Sequence, residues 1–125
     1  MIHIKTVFLD ILIKNNDEEI NYKKITALIN KEIISFKIGD DSYNLIINDI
    51  IKFNKENNES ILDLKFSMNM VTDGIYYIKE LNYNMDVRIK TKELIIEDNR
   101  IYIEYNMILQ EEDLGNYLFR IDIKE

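Results

Sequence analysis

The sequence predicts an all-β fold, a single antiparallel barrel of about eight to ten strands with little or no helix. Three observations carry this. First, Tyr83, Met85, Val87 and Ile89 alternate with Asp86, Arg88 and Lys90, the period of a strand buried on one face. Second, the same period returns at Ile101, Ile103, Tyr105, Met107 and Leu109 and again at Tyr117, Phe119, Ile121 and Ile123. Third, no window of ten or more residues carries an apolar stripe at helical spacing. The best candidate, Lys23 to Ile33, is rich in β-branched residues that disfavour a helix.

Taken in order, the first run places Ile2, Ile4, Thr6 and Phe8 on one parity and Leu9, Ile11 and Ile13 on the other. The second run switches in the same way between Ile20, Tyr22 and Ile25, Ala27, Ile29. If the two form a hairpin about Asn15-Asn16-Asp17, the switch points lie opposite each other, and a bulge or sharp coil there turns a corner of the sheet. Ile34, Phe36 and Ile38 form a third strand, ended by Gly39-Asp40-Asp41, and Tyr43, Leu45 and Ile47 a fourth, ended by Asn48-Asp49. Ile51 and Phe53 mark a short fifth, and Lys55 to Glu59 reads as a polar loop. Leu62, Leu64, Phe66, Met68 and Met70 then alternate with polar residues in another long strand. Asp73-Gly74 reads as a hairpin turn before the apolar Ile75-Tyr76-Tyr77-Ile78. So many strands either close into a barrel or split into two packed sheets, and the long C-terminal strands favour the barrel.

The 125 residues fit one domain, residues 1–125, able to bury roughly two-thirds of its unfolded surface. A net charge of −7, with Lys23-Lys24 the longest basic cluster, argues against nucleic acid and anionic membranes as partners. The absence of Cys rules out a disulfide framework, a thiolate nucleophile and a zinc-thiolate site. The run Val7 to Ile13 is interrupted by Asp10 and lacks a cleavage site, and no apolar stretch of membrane-spanning length exists, so the expected location is the cytoplasm. Abundant Ile, Asn and Lys beside a single Ala and no Pro reflect coding bias and not chemistry.

The segment Leu81-Asn82-Tyr83-Asn84-Met85-Asp86-Val87-Arg88-Ile89-Lys90-Thr91-Lys92-Glu93-Leu94, followed by the strand Ile101 to Leu109, resembles the YwiB-like family of uncharacterised bacterial proteins. The resemblance implies an antiparallel calycin-like, lipocalin-like barrel, and it brings no catalytic residues, because the family has no established activity. Tyr83-Asn84 stands where the family has Tyr-Gly, with Asn84 as a substitute able to take a left-handed conformation. The Gly-x-Trp signature of secreted lipocalins is absent, since the chain has no Trp.

No constellation carries recognisable chemistry, so the expectation is a protein that is not an enzyme and that uses no cofactor or metal. His3 is the only histidine and cannot alone assemble a metal site or a Ser-His-acid triad. The acidic clusters Asp17-Glu18-Glu19, Asp40-Asp41, Glu97-Asp98 and Glu111-Glu112-Asp113 coincide with turns and lack calcium-loop spacing. Asp63, Asp86, Glu104 and Asp122 point outward by parity, which removes the paired carboxylates a glycosidase needs.

The remaining candidate is the inward face. Met68, Met70, Met85 and Met107 share it with Phe66, Tyr83, Tyr105, Tyr117 and Phe119, and flexible Met beside Tyr hydroxyls suits a small apolar ligand with one polar group. Alternatively the same side chains fill the barrel. The protein would then be an interaction or assembly module, a homo-oligomer included, with Tyr76, Ile78, Tyr102, Ile108 and Leu118 as an outer contact patch.

Overall fold

The computed structural model describes residues 4–125, and every regular element among them is a strand. They are β1 (Ile4–Asn15), β2 (Glu18–Asn30), β3 (Ile33–Ile38), β4 (Asp41–Ile46), β5 (Ile51–Glu56), β6 (Ser60–Phe66), β7 (Val71–Ile78), β8 (Tyr83–Ile96), β9 (Arg100–Leu109) and β10 (Glu112–Lys124). Each pairs antiparallel with its sequence neighbours, and β1 pairs with β10 to close the ring. The expected barrel is therefore present, at the upper end of the predicted strand number. Ile2 and His3 lie outside the described residues.

The core is the inward parity of the strands. It runs through Val7, Leu9 and Ile11 of β1, Ile34 and Phe36 of β3, Tyr43 and Leu45 of β4, Leu64 and Phe66 of β6, Val87 and Ile89 of β8, and Ile101, Ile103, Phe119 and Ile121 of β9 and β10. These residues alternate in sequence because a strand sends successive side chains to opposite faces.

The parity switch expected in both N-terminal strands occurs only in β2. Leu9 faces Ile25 and Ile11 faces Tyr22, so two residues, Lys23 and Lys24, stand against Asp10 in a bulge with Lys24 at φ 55°. The Asp10 carboxylate holds the bulge, accepting from the Lys24 amide at 2.9 Å and pairing with Lys124 Nζ at 2.6 Å. These contacts, the Lys124 one foremost, keep its carboxyl below the usual range. β1 itself keeps one inward parity throughout, with Ile4 and Phe8 on the exposed side, so their apolar spacing was not a sign of burial.

The β6–β7 region differs most from expectation. β6 ends at Phe66, and the chain turns through Ser67–Met70, closed by the Met70 amide donating to the Ser67 carbonyl at 3.2 Å with Asn69 at φ 60°. Asp73-Gly74 is not a turn: it lies inside β7, opposite Arg88 and Val87 of β8. The glycine answers to crowding, since a Cβ at Gly74 would overlap the Asp63 carbonyl oxygen of β6. The same parity sends Tyr76 inward against the core, opposite Met85, and puts Ile78 opposite Tyr83, which removes both from the expected outer patch. Lys55 and Glu56, read as loop, complete β5. The left-handed residue before β8 is Asn82, at φ 48°, and not Asn84, which is within the strand.

Two seams interrupt the wall. β2 and β3 pair only from Ala27↔Phe36 to Asn30↔Ile33, and β6 and β7 only from Ser60↔Ile78 to Asp63↔Ile75. The barrel is thus a short four-stranded panel, β3 to β6, joined to a panel of mostly long strands, β7 through β10 to β1 and β2. At the far end Gly115, at φ 96°, sits in a β10 bulge whose space is taken by the Asn16 side chain. Asn16 Oδ1 accepts from the Asn116 amide at 3.1 Å and its Nδ2 donates to the Leu114 carbonyl at 3.3 Å, which pins the β1–β2 turn to β10.

Candidate functional site

The interior is organised by aromatic rings. Phe36 of β3 stacks on Tyr43 of β4 with centroids 4.8 Å apart, and Tyr43 meets Phe53 of β5 edge-on at 5.9 Å. Phe53 in turn touches Phe66 at 6.4 Å and Phe119 at 5.7 Å, and Phe66 leads on to Tyr105 at 4.8 Å and Tyr117 at 5.4 Å beyond it. All these separations fall within the range of favourable aromatic pairs. β5 and β10 are opposite each other in the ring of strands, so the Phe53–Phe119 contact spans the barrel. Eight strands already give an interior that side chains can fill, and ten in a round barrel would leave more room. The contact shows that side chains from opposed walls meet inside the barrel at this level.

Of the inward residues expected to line a pocket, Phe66, Tyr105, Tyr117 and Phe119 belong to this chain of rings, and Met107 packs against the same core. Met85 is half-buried opposite Tyr76. Tyr83 keeps the inward parity but stands at the barrel end, 46% exposed, where its hydroxyl accepts from Gln110 Nε2 at 2.8 Å. Met68 and Met70 are not inward at all: they sit in the β6–β7 turn, 41% and 55% exposed, because the strand stops before them. Phe36, Tyr43 and Phe53 were missing from the expected set, although their alternation with Ile38, Leu45 and Ile51 gave the signal.

Two interior tyrosines are electrostatically strained as acids. Burial, with smaller contributions from Tyr117 and Tyr43, pushes the Tyr105 hydroxyl far above its ordinary value. Burial, followed by the nearby Asp41 charge, pushes Tyr43 up to about 12. Both are neutral packing groups at physiological pH. Among the described residues, no group of three or more His, Cys, Asp or Glu is arranged to hold a metal ion. The acidic turn residues stay apart. The outward carboxylates are engaged locally, Asp63 with Asn54 Nδ2 at 2.6 Å and Asp122 with Arg100 at 2.7 Å and Arg120 at 3.4 Å. No helix among the described residues is long and apolar enough to cross a membrane.

A groove of about 450 Å³ lies on the outside of the barrel, beside the β6–β7 seam. Outward residues of the short panel, Asn44, Ile46, Lys52, Asn54, Asp63 and Lys65, form its floor and one wall, Asp73, Gly74 and Ile75 of β7 form the other, and the inward Phe53 and Leu64 also line it. It exists because β7 departs from β6 after Asp63↔Ile75 and rides over it. The Thr72 hydroxyl donates to the Lys65 carbonyl there in place of a ladder bond.

The fold has a counterpart among solved structures. The crystal structure of YwiB protein from Bacillus subtilis superposes with a TM-score of 0.61 over 97% of this chain and 89% of that one, at 9% sequence identity. The likeness shows a shared fold, which agrees with the resemblance read in the Leu81–Leu109 segment. No protein-family model matches the chain, and no curated protein matches it in sequence.

Proposed function

We propose that the protein is a non-enzymatic interaction module that works through the outer surface of a filled barrel. The observation that carries this reading is the Phe53–Phe119 contact, in which side chains from opposite walls meet inside the barrel. A lumenal site for a small apolar ligand, the other reading open to the sequence, needs the space these rings occupy. It also loses Met68 and Met70, which line no cavity from the β6–β7 turn.

Met107 tests the proposal, since it packs against the core from near the middle of the inward run of β9. Met107→Trp adds volume to an occupied site and is expected to cost about 1 to 3 kcal/mol, while the parent takes up no fluorescent fatty acid. A parent that binds the probe, with a Met107→Trp variant as stable as the parent and unable to bind it, overturns the proposal in favour of lumenal ligand binding.

A further inference from the structure

The seam between β2 and β3 also opens outward. Their pairing stops at Ala27↔Phe36, and before Ala27 the strand β2 follows β1 around the Lys23-Lys24 bulge while β3 stays with β4. A groove of about 710 Å³ lies between the parting strands, within the size of small-molecule sites. Its apolar part is Ile25 and the exposed Leu28 of β2, together with the stacked pair Phe36 and Tyr43, which line it where the wall parts.

The polar part of this lining is cationic. Lys24 and Lys37 line the groove and no Asp or Glu does, in a chain of net charge −7, whereas the groove beside the β6–β7 seam carries Asp63 and Asp73. The carboxylates that adjoin these strands are engaged elsewhere: Asp10 beside the bulge with Lys124, Asp41 opposite Ile38 with Lys55, and Glu56 opposite Ser42 with Lys79. Among the described residues neither Lys24 nor Lys37 forms a salt bridge, and Lys24 Nζ has only the Phe8 ring, 5.6 Å away at its centroid. Ser35 Oγ donates to Asn44 Oδ1 at 2.6 Å, so Asn44 turns to the groove as a donor, beside the hydroxyls of Thr26 and Ser42. We infer that the groove binds a small anion on an apolar, ring-bearing body. Lys24 and Lys37 hold its carboxylate, phosphate or sulfonate, and Ile25, Leu28 and the Phe36–Tyr43 pair take the ring. The inference needs only the outer wall and goes beyond the filled-barrel reading.

Fluorescence titration of the whole chain with anilinonaphthalene sulfonate, a flat aromatic anion, tests this, with phenylnaphthylamine as the same body without the charge. The sulfonate is expected to bind about tenfold more tightly than the uncharged amine, the worth of a hydrogen bond to a charged group. Lys24 and Lys37 are exposed, so Lys24→Gln and Lys37→Gln are expected to keep the parent's circular dichroism spectrum. Each should weaken sulfonate binding about fivefold, the upper end for an exposed ion pair, while Lys52→Gln in the other groove leaves it unchanged. In heteronuclear NMR the shifted amides should be those of Thr26, Leu28, Ser42 and Asn44. A parent that binds no sulfonate at millimolar concentration overturns the inference. So does equal binding of the two probes, binding that survives both lysine changes, or amide shifts confined to other strands. Fatty-acid uptake that Met107→Trp abolishes refutes the filled-barrel reading and leaves this site standing, whereas a parent that takes up neither the fatty acid nor the sulfonate refutes this site alone.

Discussion

Phe53 of β5 and Phe119 of β10 meet edge to face, 81° between ring planes and 5.7 Å between centroids, from strands five places apart in either direction around the ring. A contact of this kind ties the short panel to the long one through the interior, where the two seams tie them only weakly along the wall. Phe53 also touches Tyr43 and Phe66, so one side chain links four strands.

Phe53→Ala is therefore expected to destabilise the protein by about 3 to 5 kcal/mol, read from urea denaturation, because it leaves a cavity between opposed walls. Phe119→Ala removes the same contact from the other side. The double variant should cost less than the sum of the two, since each single change already abolishes the shared pair.

Val87 is buried and its neighbour Arg88 is exposed. Val87→Asp buries an unpaired charge and is expected to prevent folding, whereas Arg88→Ala should change stability by no more than about 0.5 kcal/mol. Equal effects in thermal denaturation would mean that the register of β8 is wrong.

At Gly74 the structure and a turn reading predict opposite results. A Cβ there overlaps the Asp63 carbonyl, so Gly74→Asn and Gly74→Ala should both cost about 1 to 3 kcal/mol, as overpacked sites do. In a type I′ hairpin turn Asn would be tolerated. A Gly74→Asn variant as stable as the parent, with only Gly74→Ala impaired, would restore the turn.

The Tyr43 hydroxyl is pushed up to about 12 by burial and Tyr105 higher still. An unfolded tyrosine loses its proton near pH 10, so above that pH the unfolded state binds fewer protons than the native one and stability falls as pH rises. The part contributed by Tyr43 is present below pH 10 and lost between there and about 12. Urea midpoints measured across this range should fall for the parent, and less steeply for Tyr43→Phe.

What the sequence disclosed follows from which signals were physical and which coincidental. β8, β9 and β10 were legible because long half-buried strands repeat the two-residue period many times, and their inward residues are buried or half-buried as read, except Tyr83 at the barrel end. The β2 bulge was legible as a change of parity. Asp73-Gly74 misled because glycine is required both by tight turns and by close backbone approach, and only the fold shows which demand applies. Met68 and Met70 misled because the turn Ser67–Met70 happens to continue the alternation of β6. The outer groove could not be read at all, since it arises from where two strands part. Nothing local to Ser60–Ile78 marks the end of a ladder.

The closing ladder between β1 and β10 has a kinetic consequence. Every other ladder joins strands adjacent in sequence, so hairpins from β1–β2 onward can form early and at small entropic cost. Phe8↔Lys124 to Asn15↔Tyr117 instead spans nearly the whole chain. Loop-closure cost rises with the length of unordered chain, as about 1.5 RT ln n, so this step is cheapest once the intervening strands are already ordered. Ring closure is then expected to be the last event of folding. Until it occurs, β1 and β10 are two bare edges of an open ladder, exposed to the same mispairing that the finished ring prevents.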